Sequence, residues 1–568
     1  MKKRVGFTLV ELLAVIAILA ILVIIALPNV MGMFNSAKKS TFLTEIKKIY
    51  RGAEQEYVKD AFTTSGSKIY AKAKNKCSKE LDMSIRDDLE YFIEINSSGK
   101  VIRFYAHDNS YQYEHEGYMT INDITDAEDV SQTSEKISIS CDNIDFVEQN
   151  VLAKFITGSE INIRMKTLAG NTNPTNETIN ENITAIIRSD TQPSEENKQS
   201  INIVSTSDST KPIYMWYQDG TIYYYSEEEH PSLNKDSSNA FRYLTKLSDI
   251  SGLSNFDTSH VRNFERLFYG CSSIKNLEPI KNWNTSKVTN MRTMFAGKNP
   301  YYNNILSLEP LSNWKTSRVT NMRGIFQANI GFESLKGLEN WDTSNVTTME
   351  GMFLFKESNL SKLKDISALR NWNTSKVTNM SGMFQENVSL ESLEGLENWD
   401  TSNVTNMLGM FLGTSEYSMH IKSLKPLSRW NTSNVTAMNS MFQGNIDLEN
   451  LEGLENWNTS NVEDFIYMFS NCNNLNEINI SNFDMSKAKF YPGRIDNKNG
   501  LAENGAKLFS NSVNNIEKLV TPKYYPSDSN LYINLPITMY DSNGNIYTRL
   551  DNTTPKQITL YNEDPRKQ

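Results

Sequence analysis

Cysteine and histidine are both scarce in this chain, with four cysteines and five histidines among 568 residues. Four cysteines are too few for the disulfide scaffold of a small secreted protein, so an ordinary apolar core is expected. No histidine lies at metal-ligand spacing, and the sequence has no phosphate-binding loop, nucleophile elbow or dinucleotide fingerprint. The sequence therefore predicts no metal, no cofactor and no enzymatic activity.

Excess positive charge is also missing, because 67 Asp and Glu residues outnumber 57 Lys and Arg residues. The net charge of -10 argues against nucleic acid as a partner, since nucleic acid requires clustered Lys and Arg. The same balance argues against a polybasic lipid-binding surface. A protein or glycan partner is therefore expected. The length of the chain predicts about three to five folding units.

Only one long apolar run is present, from Phe7 to Leu27, and it is interrupted by a single charge at Glu11. As a helix this run would reach about 31 Å, enough to cross a bilayer. The basic residues 2–4 precede it, and such residues stay in the cytoplasm. We expect one span of the cytoplasmic membrane at residues 7–28, with the N-terminus inside and the bulk of the chain outside.

Two plainer interpretations of the N-terminus remain open. A removable signal peptide would share the basic start, but it should end in small residues of the A-x-A kind. Here the run ends Ile25-Ala26-Leu27-Pro28-Asn29, and it is longer than the apolar core of most signal peptides. A plain membrane anchor is the other alternative.

A short motif lies across the start of the apolar run, Val5-Gly6-Phe7-Thr8-Leu9-Val10-Glu11-Leu12-Leu13. It resembles the processing site of type IV prepilins and pseudopilins. The resemblance implies that a prepilin peptidase removes the leader, residues 1–6, by cleaving after Gly6. It also implies that the new amine of Phe7 is methylated and that the apolar helix is retained.

Glu11 is costly inside a membrane-spanning helix, so it indicates a function or a specific partner. The pilin resemblance implies that Glu11 pairs with the N-terminal amine of a neighbouring subunit during assembly. Other pilin or pseudopilin subunits would then be partners. The alternative is a carboxylate that lies close enough to the membrane surface to remain hydrated.

The chain beyond the membrane predicts a helix followed by a small sheet. Apolar residues recur at helical spacing at Phe42, Ile46, Ile49, Ala53 and Tyr57. Residues 91–95 and 101–105 flank a polar segment and predict a β-hairpin. The pilin resemblance implies this plan of a long helix, residues 7–60, beside a small β head, residues 61–165.

An internal period runs through the second half of the chain. Aromatic residues followed by a T-S-x-V-like segment recur with alternating spacings of 27 and 31 residues. They are Phe256, Trp283, Trp314, Trp341, Trp372, Trp399, Trp430, Trp457 and, in a degenerate copy, Phe483. The alternation indicates duplication of a two-copy unit of 58 residues.

One copy shows what each should form. Leu393 and Leu396 precede Trp399, and Asp400-Thr401-Ser402 then offers N-capping oxygens. Apolar residues follow at i, i+3, i+6 and i+7, namely Val404, Met407, Met410 and Phe411. This pattern predicts a short extended segment and then a short helix. Stacked copies would bury the Trp, Met and Phe residues in one continuous core, as in a solenoid.

The four cysteines fall into two pairs. Cys77 and Cys141 lie in the predicted β head and, outside the membrane, could form one disulfide bridge, with two free thiols as the alternative. Cys271 and Cys472 lie seven copies apart, which is roughly 34 Å at about 4.8 Å per copy. These two are therefore expected to be buried thiols.

The pattern W-[ND]-T-S-x-V-T-x-M-x-x-M-F closely resembles the BspA-like leucine-rich surface repeats of bacteria, and it covers residues 251–490. The resemblance implies an exposed protein that attaches to host matrix, host cells or other bacterial surfaces, without naming the ligand. The N-x-S/T triplets of this region also match glycosylation acceptors. Their recurrence at one position, with Asp in other copies, favours a capping role.

The segments around the repeats complete the predicted organisation. Residues 213–225 and 537–547 predict β-hairpins with D-G and N-G turns. They would belong to an N-terminal cap, residues 205–250, and a C-terminal β cap, residues 491–568, since repeat arrays need covered ends. Residues 166–204 are rich in polar residues and predict a flexible connector.

The predicted fold class is α+β, with a pilin-like transmembrane helix, a small antiparallel β head and a leucine-rich-repeat-like α/β solenoid with β caps. The predicted function is that of a pilin-like, membrane-anchored surface protein whose repeats bind protein or glycan in adhesion. The alternative is a structural minor pseudopilin of a secretion or DNA-uptake apparatus. A third interpretation is an anchored receptor that never enters a fibre.

Cleavage between Gly6 and Phe7 is the first testable consequence of the N-terminal motif. The mature chain should begin at Phe7 with a methylated amine, because the motif resembles a prepilin processing site. Mass spectrometry of the N-terminal peptide, taken from protein recovered from its native membrane, checks this. A mature chain that begins at Met1, or near Asn29, would contradict the pilin interpretation.

Overall fold

The chain divides into two compact units, residues 1–150 and residues 151–568. The computed structural model describes residues 38–58, 68–72, 81, 86, 88–96, 99–108, 111–121, 124, 130–132, 137–139, 144–146, 153–207, 209–356, 359–489, 508–509, 516–527 and 531–567. Among these residues, no helix is both long enough and apolar enough to cross a membrane. The span predicted at residues 7–28 lies outside the described residues.

The first unit combines one helix, α1 (residues 38–58), with an antiparallel sheet whose strands follow one another in chain order. The strands are β1 (Lys68–Lys72), β2 (Glu90–Ile95), β3 (Val101–His107), β4 (Tyr111–Met119) and β5 (Val130–Gln132). Two short strands, β6 (Ile137–Ile139) and β7 (Ile144–Phe146), pair separately. The hairpin predicted between residues 91 and 105 is confirmed as β2 and β3.

The helix α1 packs on this sheet through the face that its apolar spacing predicts. Phe42, Ile46, Ile49 and Ala53 are fully buried in one core with side chains of the strands. The hydroxyl of Tyr50 donates to the carbonyl of Met119 at 3.1 Å. Burial of this apolar stripe, rather than helix propensity alone, therefore holds α1 in place.

The second unit begins with a helix and a small sheet that precede the repeats. The helix α2 (Gly158–Leu168) starts with a capping box between Thr157 and Glu160. The sheet has the order β8-β10-β9, with β8 (Ala185–Arg188), β9 (Ile213–Gln218) and β10 (Thr221–Ser226). The predicted D-G hairpin is confirmed as β9 and β10. Residues 166–204, predicted as a connector, contribute β8 and several buried apolar side chains to this unit.

The repeats are joined by a ladder of backbone hydrogen bonds between successive copies. In one copy the N–H groups of Met380, Gly382, Phe384 and Glu386 donate to carbonyls of the next copy at 2.7–3.0 Å. Isolated parallel bridges mark the same position along the array, for example Asn379 with Asn406. Each copy thus satisfies every second backbone donor of this segment through its neighbour, which leaves few unpaired buried groups.

Side chains reinforce the ladder at two further positions of each copy. The indole N–H of Trp399 donates to the carbonyl of Leu369 in the preceding copy at 3.0 Å. The buried hydroxyl of Thr401 donates to the carbonyl of Asn431 in the following copy, also at 3.0 Å. The same two contacts recur with equivalent residues along the array. The W-x-T element of the repeat therefore links three copies.

The predicted fold class is wrong in the repeat region. The described residues contain two α-helices, α1 and α2, and neither lies within residues 251–490. They contain four sheets, which take a single strand, β11 (Glu477–Asn479), from that region. The described repeats consist mainly of turns and isolated bridges, so the predicted α/β solenoid, with a helix in each copy, is not formed.

The backbone of each copy explains why the predicted helices are absent. The tenth residue after the aromatic has a positive φ of 50° to 61° in eight successive copies. These residues are Arg266, Thr293, Gly324, Gly351, Gly382, Gly409, Ser440 and Tyr467. One left-handed residue in each copy ends any right-handed helix at that position. The oxygens of Asp400 also serve a turn and not a helix, because Oδ1 accepts from the N–H of Ser402.

A second sheet follows the repeats, with the order β11-β12-β15-β13-β14. Its other strands are β12 (Lys518–Val520), β13 (Ile533–Tyr540), β14 (Ile546–Leu550) and β15 (Thr559–Tyr561). The predicted N-G hairpin is confirmed as β13 and β14. The bridge between Asn450 and Glu477 connects the array to this sheet.

Short 3-10 helices complete the described regular structure of the second unit. They span Glu195–Lys198, Ser200–Asn202, Ser251–Asn255, Glu278–Ile280, Glu309–Leu311, Ser367–Leu369, Lys425–Leu427 and Pro565–Lys567. Several of them lie just before the aromatic residue of a copy. Each is too short to form a helical layer.

The two repeat cysteines are buried thiols, as predicted. Cys271 and Cys472 are fully buried, and each thiol donates to a main-chain carbonyl, of Phe241 and Phe442 respectively. Burial raises the pKa of both thiols to about 12. They should therefore be unreactive in the folded protein.

Substitutions at the residues with positive φ, ten positions after the aromatic, test whether each copy forms turns instead of a helix. Gly382→Ala should lower the free energy of unfolding by about 1–2 kcal/mol, because a Cβ is disfavoured at a φ of +61°. Ser440→Gly should raise the free energy of unfolding by up to about 1 kcal/mol. Urea unfolding followed by Trp fluorescence measures both effects, because all eight Trp residues lie in the second unit. A stabilising Gly382→Ala, as expected in a helix, would contradict the turn assignment.

A buried lysine predicts a pH dependence of stability. Burial lowers the pKa of Lys166 to about 7, and its ammonium reaches only the carbonyls of Thr175 and Asn176, at 3.4 and 3.3 Å. Between pH 7 and about 10.5 the unfolded chain keeps the proton that the folded chain has lost, so this group makes stability rise with pH. Below pH 7 the folded protein carries the full cost of a buried charge.

Lys166→Met should remove that contribution. The variant should gain stability over the wild type at pH 6 and lose most of the gain by pH 10, with a difference on the order of a few kcal/mol. Urea unfolding at several pH values measures this, and Lys246→Met, at an exposed lysine of the same unit, is the control. An equal effect of Lys166→Met at both pH values would show that Lys166 does not titrate between them.

Candidate functional site

Exposed side chains form columns along the repeat array, one residue from each copy. One column alternates in charge, and its members form ion pairs between successive copies, such as Lys364 with Glu333 and Lys422 with Glu391. A second column pairs Lys336 with Glu309. Exposed ion pairs add little to stability. Their main effect here is to neutralise charge locally.

A column of threonines occupies another exposed position, six residues after the aromatic. Thr405 donates both its N–H and its hydroxyl to the carbonyl of Thr378, at 2.9 and 3.2 Å. Thr436 contacts Thr405 in the same way. The hydroxyl donors of this column are therefore used inside the array. This face is regular and polar, with few donors left for a ligand.

Every second copy carries four additional residues directly after its phenylalanine, which accounts for the spacing of 31 instead of 27. We call the segments 297–303, 355–361 and 413–419 loops 1, 2 and 3. Loops 1 and 3 share one geometry, because the N–H of Lys298 donates to Tyr301 O and the N–H of Thr414 donates to Tyr417 O, both at 3.0 Å. The four additional residues thus form a closed turn at the edge of the array.

Loop 2 is anchored differently. Its Phe355 is buried, where loops 1 and 3 have Gly297 and Gly413. The hydroxyl of Ser361 donates to Oδ1 of Asn387 in the next copy at 2.7 Å, and Nδ2 of Asn387 donates to the carbonyl of Phe353 at 2.8 Å. Asn387 thereby holds the end of loop 2 to the following copy.

A cavity lies where the array meets the C-terminal sheet. Its volume is about 300 Å³, and its lining combines the apolar residues Leu451, Ile478 and Val520 with charged residues of both signs. The charged residues are Glu452, Glu455, Glu477 and Lys518. Glu455 accepts a hydrogen bond from the N–H of Gly453 at 2.9 Å. In the part of the chain that the structure describes, no group of His, Cys, Asp and Glu residues could hold a metal ion.

The site residues predicted from the sequence all lie outside the described residues. They are Gly6 and Phe7 for processing, Glu11 for assembly, and Cys77 and Cys141 for a disulfide bridge. The loop residues Tyr302, Phe355 and Leu360 were not predicted as a site. The signal for them was present in the alternating spacing, because the four residues by which the longer copies exceed the shorter ones lie in the loops.

Two family models match the chain. The family described as Mycoplasma protein of unknown function, DUF285, matches residues 235–353, 301–391, 354–426 and 415–522, which together span just over half of the chain. The chain belongs to this family. The prokaryotic N-terminal methylation motif matches residues 1–27. Comparisons with curated proteins and with solved structures gave no match.

These matches support the N-terminal interpretation more than the interpretation of the repeats. The methylation motif makes the N-terminus type IV pilin-like, which implies processing by a prepilin peptidase, assembly with pilin subunits and a membrane-anchored or surface location. The resemblance of residues 251–490 to BspA-like leucine-rich repeats is not confirmed, because the matching family is DUF285. That family has no known function, so adhesion remains a prediction.

Proposed function

We propose that this chain is a type IV pilin-like surface protein whose repeat array binds a protein or glycan partner in adhesion, and that it acts by binding and not by catalysis. In this proposal the helix at residues 7–28 crosses the cytoplasmic membrane once, with the N-terminus inside. Glu11 pairs with the amine of a neighbouring subunit when the protein joins a fibre.

One observation carries the proposal: the array satisfies its own backbone and core, and some of its exposed positions differ from copy to copy. The fourth residue after the aromatic is Lys287, Arg318, Asn345, Lys376, Asn403, Asn434 and Asn461 in successive copies. The buried Trp, Val, Met and Phe positions hardly change over the same copies. A stacked scaffold with variable exposed positions and added loops provides an extended surface for recognition.

The charge pattern indicates which kind of contact such a surface makes. Ion pairs between copies neutralise many of the exposed charges, and the chain as a whole is acidic. Binding should therefore depend on local apolar and hydrogen-bonding contacts and not on bulk attraction to an anionic surface. A rise in salt from about 50 to 200 mM should weaken it little, in contrast to binding of nucleic acid.

Attachment by living cells tests the adhesive role. A strain lacking the protein is complemented with the wild type or with a variant carrying Arg318→Ser, Lys376→Ser and Leu408→Ser, all on exposed or half-exposed columns. The variant should reduce attachment to matrix proteins, host cells or bacterial surfaces by at least about threefold, because it removes contacts without touching the core. Lys246→Ser, at an exposed lysine before the array, is the matched control and should attach like the wild type.

The alternative structural role gives a different pattern in the same strains. A minor pseudopilin that only extends or caps a fibre would leave attachment unchanged when the protein is lost, while secretion or DNA uptake fails. That outcome would overturn the adhesive proposal. Immunoblots of sheared surface fractions must show equal amounts of each variant, so that a loss of attachment reports recognition and not export.

A further inference from the structure

The helix α2 covers the N-terminal end of the array with a face that is only partly apolar. Its buried residues are Gly158, Ile161, Asn162, Met165 and Lys166, and two of these five carry polar side chains. The copies of the array, in contrast, bury Trp, Val, Met and Phe residues and share a backbone ladder. Elements that bury little apolar surface open at a lower free energy than the whole protein. We therefore expect α2 to open before the array does.

Polar contacts join this helix to the chain segment that begins the array. The N–H of Gly158 donates to the carbonyl of Asp236 at 2.9 Å. Nδ2 of Asn162 donates to the carbonyls of Ala240 and Arg242, at 3.3 and 2.9 Å. Oδ1 of Asn162 is buried and has no hydrogen-bond partner in the described part of the chain. An unsatisfied buried acceptor favours an open state, in which water can reach it.

Lys166 is the second polar residue of this buried face, and it can carry a charge. Its side chain is fully buried, and its ammonium donates to the main-chain carbonyls of Thr175 and Asn176, at 3.4 and 3.3 Å. Both hydrogen bonds are long. They replace only part of the hydration that a protonated amine has in water.

Three ionisable side chains act on Lys166 from the elements packed around it. Cys271 and Arg242 belong to the array and to the segment before it, and Glu177 belongs to the turn after α2. The carboxylate of Glu177 accepts from Arg242 at 2.6 Å, and Lys166 forms no ion pair in the described part of the chain. A protonated Lys166 is therefore a buried charge without a direct counter-ion.

We propose that α2 is a pH-sensitive cover of the N-terminal end of the array, which opens more readily when Lys166 is protonated and closes when Lys166 is neutral. In the open state the ammonium and Oδ1 of Asn162 reach water. This inference goes beyond the adhesive function and does not depend on it, because it concerns how the end of the array opens and not what the array binds.

The direction of the pH dependence follows from the two states of the amine. The ordinary pKa of a lysine is 10.5, and burial lowers the pKa of Lys166 to about 7. Between these two pH values the open form holds a proton that the closed form lacks, so each unit of falling pH favours opening about tenfold. At lower pH both forms hold the proton, and opening should change little.

Cys271 can report this opening, and Cys472 is its matched control. Both thiols are fully buried, and each donates to a Phe carbonyl 30 residues earlier in the chain. Burial raises the pKa of both thiols to about 12, and the charge of Lys166 opposes this rise at Cys271. Cys271 thus lies on the inner side of α2, whereas Cys472 lies near the other end of the array.

The test measures how fast each thiol of the full-length protein, in mild detergent, reacts with dithiodipyridine between about pH 6 and 9. Peptide mapping by mass spectrometry separates the four cysteines. In Lys166→Met no amine titrates, so dividing the Cys271 rate of the wild type by that of this variant cancels the pH dependence of the reagent. The quotient should rise on the order of 50-fold from pH 9 to 6, mostly above pH 7. Lys246→Met, at an exposed lysine, is the control and should react like the wild type.

The two thiols of the wild type show whether the opening is local. Cys271 should react at least about tenfold faster than Cys472 near pH 7, because opening of α2 is more frequent than unfolding of the whole unit. Equal rates at the two thiols would overturn the proposal, since access would then require global unfolding. A quotient that does not change with pH would overturn it too, because Lys166 would then not control the opening.

A second measurement avoids any dependence on the folding of Lys166→Met. Hydrogen exchange of α2 in the wild type, corrected for the pH dependence of free amides, should show the same increase in opening from pH 9 to 6. The hairpin β13–β14 is the internal reference. A corrected exchange rate of α2 that stays constant over this range would contradict the proposal.

Discussion

The backbone ladder between copies is the constraint on which the second unit depends. Alternate N–H groups of each copy, such as those of Gly382 and Phe384, can only be satisfied by the carbonyls of the next copy. A single copy has no partner for these donors and no way to bury its Trp and Met side chains. The array is therefore stable as a stack, and its ends need other structure, which α2 and β8–β10 supply at one end and β11–β15 at the other.

The ladder also determines which residues of a copy can vary. Residues that point into the stack meet the same residue of the next copy, so aromatic rings lie nearly parallel at short distances, as for Phe384 and Phe411 at 5.7 Å. A larger or smaller residue would disturb both neighbours at once. Exposed columns have no such requirement, which is why charge alternates there and loops are inserted only where the chain leaves the ladder.

Much of this organisation could be predicted from the sequence, because it rests on local signals. The alternation of polar and apolar residues around a D-G or N-G turn predicts β9–β10 and β13–β14, and helical spacing predicts the buried face of α1. The helix expected in each copy was wrong for a physical reason. Val404, Met407, Met410 and Phe411 have the spacing of one helical face, and a stack of turns that buries every third residue produces the same pattern.

Glycine at one fixed position of that pattern indicates that the helix is interrupted. Gly324, Gly351, Gly382 and Gly409 follow the aromatic by ten residues in four consecutive copies, in the middle of what the apolar spacing presents as a helix. A glycine at a fixed internal position indicates a left-handed residue, not a tolerated helix breaker. The N-terminal site, by contrast, depends on a motif and on a partner that lie beyond the described residues, so neither spacing nor packing could establish it.

The ladder between copies does not explain why long and short copies alternate. A strict 27-residue repeat would stack equally well, since the short copies make the same ladder contacts as the long ones. The ladder itself therefore does not require the four added residues. In loop 1 they bring Tyr302 onto Phe355, whereas the equivalent position of loop 2 is Leu360, which is 48% exposed. The same insertion therefore has different surroundings in successive long copies, so the residues of each loop, and not its length, decide what that loop buries and what it exposes.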